Sequence, residues 1–386
     1  MRIAYVTTFD ARTLRDYNNW AGIGYYISQA LTNQSIHLDY IGPLEDKLTI
    51  HFVNRLKSRY YKYLGKNYIK YIDSLILRNY AKQINEKINN IKTDIIFSAG
   101  SDSIAYLECN QPTVFWADAT FANIIDFYPG YSNLCQESLQ NAHLVQRMSL
   151  QKSELAIYSS EWAAQTAIDY YNAAPEKVKV VPFGANIESD HNIDEIKAAI
   201  ESRPTNKCKL LFLGVDWFRK GGDVALEVAK KLNNSGLNTE LTVVGSQPSL
   251  DENENLPDFI KVLGFIPKST PEGKKKIYQL IAYSHFLILP SIADCTPIVF
   301  CEANSLGVPC ISRKVGGIPT IIKDNVNGKL FDRDSDPTEY CEYIFNIFTN
   351  YTQYKELALS AFNEYELRLN WRVAGRKVRD LLTTIA

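Results

Sequence analysis

The sequence predicts an α/β protein built from two doubly wound halves, and three observations carry that reading. The chain has 386 residues, more than one ordinary core organises, so a division into two domains is expected. Short apolar runs rich in β-branched residues alternate with segments of helical period, the mark of parallel sheets covered by helices. That alternation runs through the chain twice, with a charged interval between the two series.

The first series places strands at 2–7, 38–41, 94–97, 113–116, 155–158 and 178–182, with helical segments such as 25–31 and 75–91 between them. After Asn186 comes a charged stretch, 188–207, whose helix-like centre ends near Pro204; it is expected to connect the domains. The second series places strands at 209–214, 240–244, 260–263, 286–290, 309–312 and 329–331. From about Tyr340 onward the pattern is helical, and Trp371 is expected to anchor the last helix where it crosses between halves. The expected domains are 1–190, joined by the helix 370–386, and 200–369.

Composition excludes several classes. Hydrophobic residues are 46% and charged residues 22%, ordinary for a folded globular protein. Lys plus Arg (42) nearly balances Asp plus Glu (43), which leaves no global field to hold a nucleic acid. The seven cysteines are scattered with no Cys-x-x-Cys pair, so reduced, mostly buried thiols are expected rather than a metal or redox site. Residues 1–6 run straight into a strand, and no run approaches the roughly 18 to 20 apolar residues of a membrane span, so a cytoplasmic location is expected.

In open parallel sheets ligands bind beyond the carboxyl ends of the strands, so polar and glycine-rich clusters that follow strands are the candidates. The strongest spans 289–309. There Thr296 reads as N-cap, Pro297 as the first helical residue and Gly307 as the stop, with Asp294 in the loop at the helix mouth and Glu302 on its second turn. Loop amides suit an anionic or hydroxyl-rich ligand, and an ionised carboxylate accepts two vicinal hydroxyls at once. The second cluster, 214–222, carries Gly214, Arg219, Lys220 and paired glycines: a guanidinium fork and a point charge for phosphate oxygens, with room for close backbone approach. The third is the turn at Gly316 and Gly317; the fourth is Trp20 to Tyr26, with Gly22 and Gly24 leading into a helix of the first half.

The order of these clusters resembles glycosyltransferase family 4, the retaining family with the GT-B fold, in which two Rossmann-like domains face each other across a cleft and close over a nucleotide sugar. The resemblance covers nearly the whole chain and is most specific from Gly214 to Gly328. The family's carboxylate pair, Glu-x7-Glu, is matched by Asp294 and Glu302. It implies Glu302 on the donor ribose, Asp294 near the donor sugar, and Arg219 and Lys220 on the diphosphate, with Gly22, Gly24, Gly214, Gly245, Gly264, Thr296, Pro297 and Ile298 lining the donor site. Asp294 is one methylene shorter than the family's glutamate, and Arg219 stands farther from Gly214 than the family's arginine does. Where the family often carries a histidine in the first domain, 115–120 offers Asp118 instead.

The implied activity is a retaining, metal-independent hexosyltransferase that uses a UDP or GDP sugar without a cofactor. The acceptor is a saccharide, lipid-linked or protein hydroxyl, in glycan or glycolipid synthesis. The rivals are a nucleotide-sugar epimerase of the same fold and an inactive nucleotide-sugar-binding partner subunit. Each cluster also has a plain reading as a tight turn, a helix cap or a solvated charge, and His143, His191 and His285 lack ligand spacing. Between Arg55 and Lys70 stand six basic residues, no acids, and Tyr60, Tyr61, Tyr63 and Tyr68. A solvated helix face is the default there; the sharper expectation is peripheral contact with anionic lipid at the cytoplasmic face of a membrane.

Overall fold

The computed structural model describes residues 1–14, 20–187, 191–249 and 255–386. The chain divides into two compact units, Met1–Pro182 with Ala374–Ala386, and Phe183–Val373.

The first unit is built on β1 (Arg2–Val6), β2 (His37–Ile41), β3 (Ile95–Ala99), β4 (Thr113–Ala117), β5 (Ser153–Tyr158) and β6 (Val178–Val180), all parallel, in the order β2-β1-β3-β4-β5-β6. Helices α1 (Ile23–Thr32), α2 (Leu48–Tyr63), α3 (Ser74–Ile88), α4 (Phe121–Ile124), α5 (Gln136–Lys152) and α6 (Glu161–Asp169) lie between the strands in sequence. Ile3 to Val6 and every residue of β4 are buried, as central parallel strands covered on both faces require.

The second unit is built on β7 (Cys208–Leu213), β8 (Thr239–Val244), β9 (Ile260–Val262), β10 (Phe286–Leu289), β11 (Cys310–Arg313) and β12 (Gly328–Phe331), also parallel, in the order β12-β11-β10-β7-β8-β9. Its helices are α7 (Ile193–Glu201), α8 (Gly222–Asn234), α9 (Pro271–Ala282), α10 (Ile298–Asn304), α11 (Ile318–Ile321), α12 (Pro337–Thr349) and α13 (Tyr351–Arg368). The last helix, α14 (Trp371–Thr383), starts in this unit, and from Ala374 onward it belongs to the first. Every expected strand is present, its ends within two residues of the sequence reading.

The stretch expected to connect the domains differs. Glu188 to Asp190 lie outside the described residues, but Ile193–Glu201 is a helix of the second unit with a full capping box, Asn192 with Glu195. Its Ile196 and Ile200, one turn apart, are buried. Arg203 just beyond is buried too. It donates from Nη2 to Leu306 O (2.7 Å), and from Nη1 to Gly307 O (2.8 Å) and Tyr354 Oη (2.6 Å). A charged residue in a polar stretch thus becomes the group that satisfies the carbonyls left open after α10.

Trp371 anchors the start of α14 within the second unit. Its Nε1 donates to Asn186 Oδ1 (3.1 Å) and its ring lies 5.7 Å from that of Phe183. Gly184 is required beneath it, since a Cβ there would stand 2.2 Å from Trp371 N. All seven cysteines are free and only Cys109 is more than slightly exposed.

Candidate active site

The order of the second sheet reverses between β7 and β10, which are neighbours. Chain connections leave a sheet in opposite directions at such a point, and the crevice beyond the two carboxyl ends is where doubly wound sheets bind ligands. The loops that follow these two strands are 214–221 and 290–297, the two clusters richest in candidate residues.

After β7 the chain turns through Gly214 and reaches Gly221, whose φ of +76° makes it a left-handed N-cap for α8. A side chain at Gly221 would meet Pro290 O at 2.1 Å. The backbone of one loop therefore rests on the other, and Ile292 N–H donates to Arg219 O (2.8 Å). Against this support Lys220 Nζ pairs with Asp294 Oδ2. Arg219 Nη1 donates to Ala293 O (3.0 Å) and stands 3.8 Å from the same carboxylate oxygen, while its Nε donates to Asp216 Oδ2 (3.2 Å). Ser291 Oγ adds a longer contact to Asp294 at 3.4 Å. Two cations thus converge on one buried carboxylate at the switch point.

Gly214, Gly245 and Gly264 stand at the ends of β7, β8 and β9. Gly214 N–H donates to Val244 O (3.0 Å), Gly245 N–H to Gly264 O (2.8 Å), and a Cβ on Gly245 would lie 2.8 Å from Gly214 O. The three glycines lie along the carboxyl edge of the sheet: at Gly245 a side chain would strike the neighbouring strand's backbone, while Gly264 has open space around its Cβ and is favoured by its left-handed φ of +68°.

One local expectation needs correcting. The helix begins at Ile298, and Pro297, not Thr296, is its N-cap residue. Pro297 has ψ 113°, extended rather than helical, so the start moves on by one residue and no side chain caps it. Glu302 remains on the second turn and is fully buried. Its Oε2 is held by Lys268 Nζ, and its Oε1 has no hydrogen-bond partner among the described residues. An unmatched buried carboxylate oxygen is a strong acceptor left open for a donor.

Lys268 was missed by sequence reasoning. It lies in the loop between β9 and α9, and a cation beyond a strand's carboxyl end was the available signal; nothing in the spacing ties it to Glu302, 34 residues on. The same edge carries exposed apolar side chains: Val215 and Phe218 after β7, Leu263 and Phe265 after β9, and Ile292 after β10.

In the first unit Asp118 follows β4, and its Oδ2 accepts a hydrogen bond from Trp20 Nε1 (3.0 Å). Trp20, Ala21 and Gly22 have φ of 51°, 50° and 76°, three left-handed residues in succession before α1. Gly24 opens that helix against Phe9, whose ring a Cβ would meet at 2.7 Å, and its carbonyl accepts from Tyr5 Oη (2.6 Å). The left-handed φ of Gly22 favours glycine there, and a side chain at Gly24 would displace the Phe9 ring. Among the described residues no group of His, Cys, Asp and Glu is arranged to hold a metal ion.

Comparison with known proteins agrees with this architecture. The model of the family described as glycosyl transferases group 1 matches residues 173–365. The D-inositol 3-phosphate glycosyltransferase of Thermobifida fusca is 25% identical over 227 residues, 56% of this chain and 51% of that protein. The corresponding protein of Acidothermus cellulolyticus is 27% identical over 198 residues, 48% of this chain and 43% of that one. The chain spans about half the length of the curated relatives it matches.

Among solved structures, sucrose-phosphate synthase from Thermosynechococcus elongatus superposes with a TM-score of 0.67 at 14% identity, covering 100% of this chain and 98% of that one. HepE of Anabaena, solved with UDP-glucose, gives 0.62 at 15% identity with both chains covered in full. WaaG, a glycosyltransferase involved in lipopolysaccharide biosynthesis, gives 0.63 at 15% identity over 99% of this chain and 100% of that one. At these identities the likeness is one of fold, the GT-B pairing of two doubly wound units.

Proposed function

The chain belongs to the glycosyl transferases group 1 family, and from that premise we propose that it is a retaining hexosyltransferase. It moves a sugar from a UDP or GDP donor to the hydroxyl of a saccharide, lipid-linked or protein acceptor, in glycan or glycolipid synthesis. The observation that carries this reading is the convergence of Lys220 and Arg219 on Asp294 at the β7/β10 switch point.

In this reading the donor diphosphate lies against Arg219 and Lys220, which take up the negative charge that grows as the sugar–phosphate bond breaks; no metal is needed for that task. Removal of one such donor commonly lowers the rate about a hundredfold or more. Glu302 offers its open Oε1 to the ribose hydroxyls, while Lys268 holds the other oxygen and fixes the carboxylate's direction. The edge formed by Gly214, Gly245 and Gly264 admits the nucleotide close to the backbone, and Leu263 and Phe265 give its base apolar surface. Thr296, Pro297 and Ile298 contribute the open end of α10.

Asp294, held by Lys220, stands at the sugar. Asp118, oriented by Trp20 beside the turn of Gly22 and Gly24, serves the acceptor side in the first unit. The exposure of Phe265 and Phe218 on the site's rim favours a nucleotide ligand over free phosphate, which would need no apolar surface.

Thermal stabilisation by a panel of nucleoside diphosphates tests this, because a ligand that binds only the folded state raises its melting temperature. One base is expected to give a clear shift, reduced in Lys220→Ala. A panel with no active member would refute the donor site.

A further inference from the structure

Helix α2 is amphipathic in the opposite sense to a helix laid on a protein core. Its inward side is polar: Asn54 is its one buried residue, and it accepts from Tyr68 Oη (2.6 Å). Lys57 Nζ pairs with Asp73 (2.7 Å) and Glu137 (2.5 Å), and Tyr61 Oη donates to Glu137 Oε2 (2.9 Å). These contacts fix which way the helix faces. Its outward side carries Leu48, Phe52, Leu56, Tyr60 and Tyr63, a stripe at intervals of four, four, four and three residues, with Phe52 62%, Leu56 48% and Tyr63 87% exposed.

At about 100° per residue Arg55, Arg59 and Lys62 form a row along one side of that stripe. All three are exposed, and none takes part in an ion pair among the described residues. No acidic residue lies anywhere in Leu48–Tyr63.

We propose that this face docks on an anionic lipid surface, with Phe52, Leu56, Tyr60 and Tyr63 entering the boundary between headgroups and acyl chains while Arg55, Arg59 and Lys62 meet headgroup phosphates. Apolar side chains beside a cationic row are the composition an interfacial helix requires. A second copy of this chain would set one cationic row against another. A nucleic acid would satisfy the charges but leave Leu48 and Leu56 in water. The face uses no residue of the donor site, so lipid binding and nucleotide binding fail or succeed separately.

Cosedimentation of the full chain with phosphatidylcholine vesicles and with equimolar phosphatidylcholine–phosphatidylglycerol vesicles tests the proposal. Binding is expected only to the anionic vesicles, weakening as salt is raised. Each basic residue near such a surface is worth about a fivefold change, so the triple variant Arg55→Ala, Arg59→Ala, Lys62→Ala should bind about a hundredfold more weakly. Phe52→Asn with Leu56→Asn should abolish binding while the melting temperature falls only by a few degrees, because both side chains keep about half or more of their surface exposed in the free protein. Equal binding to both vesicles, or indifference to the variants, overturns it. So does a concentration-dependent dimer in lipid-free buffer that Leu56→Glu dissociates, since a second copy would then be what covers the face.

Discussion

Replacing Lys268 by Met leaves Glu302 fully buried with neither oxygen paired. Removing one member of a buried ion pair costs about 3–5 kcal/mol, because the remaining charge keeps its desolvation penalty and loses its compensation. The Lys268 side chain retains 16% exposure, which lets some water reach the vacated space and points to the lower end, about 3 kcal/mol. For a unit of this size that corresponds to a fall in melting temperature of roughly 6–12 °C.

Calorimetric melting of the wild type, Lys268→Met, Glu302→Gln and the double variant separates the pair from its parts. The double variant should regain most of the loss, with a coupling of about 2 kcal/mol or more, since a neutral amide no longer needs the cation. Nucleotide affinity should fall in both single variants and stay low in the double, because restored folding does not restore an oriented carboxylate. A Lys268→Met protein that melts within about 2 °C of wild type, or a double variant no more stable than Lys268→Met, would refute the assignment of Lys268 as the group that holds Glu302.

Gly221→Ala should lower stability by roughly 2–3 kcal/mol through its left-handed backbone and its collision with Pro290 O. Gly236→Ala, equally left-handed but with open space around its Cβ, should cost only about 1 kcal/mol, so paired denaturant titrations isolate the collision. Nucleotide affinity should fall with Gly221→Ala alone, because that residue seats Lys220. Burial, then the charge of Arg203, pushes the His285 imidazole down to about 3, and its Nδ1 accepts from Lys209 N–H (2.9 Å). The unfolded chain therefore binds a proton from about pH 6.5 downward that the folded chain refuses. Stability is full above that pH and declines toward pH 3, by about 2 kcal/mol at about pH 5. His285→Gln should flatten this part of the stability profile; an unchanged slope would mean His285 does not titrate on unfolding.

Local patterning makes the strands and most of the candidate residues legible without coordinates. A parallel strand buried on both faces must be a short apolar run, as in Phe286 to Leu289, and a tight turn from strand into helix favours glycine, as at Gly214 and Gly221. Such features depend on neighbours in sequence, so Lys220, Asp294 and Glu302 can be picked out by position relative to strand ends.

What joins them depends on strand order. Lys220 and Asp294 are 74 residues apart and meet only because β10 lies beside β7, a consequence of where the crossover helices return the chain. The pairing of Lys268 with Glu302, the burial of Arg203 against the end of α10, and the packing of Ile196 and Ile200 have the same origin. For α2 the sequence by itself settles that basic and aromatic residues are interleaved. Only the tertiary structure decides that Asp73 and Glu137 hold its polar side inward, because the direction a helix faces is set by partners on other elements, and these lie 16 and 80 residues from Lys57.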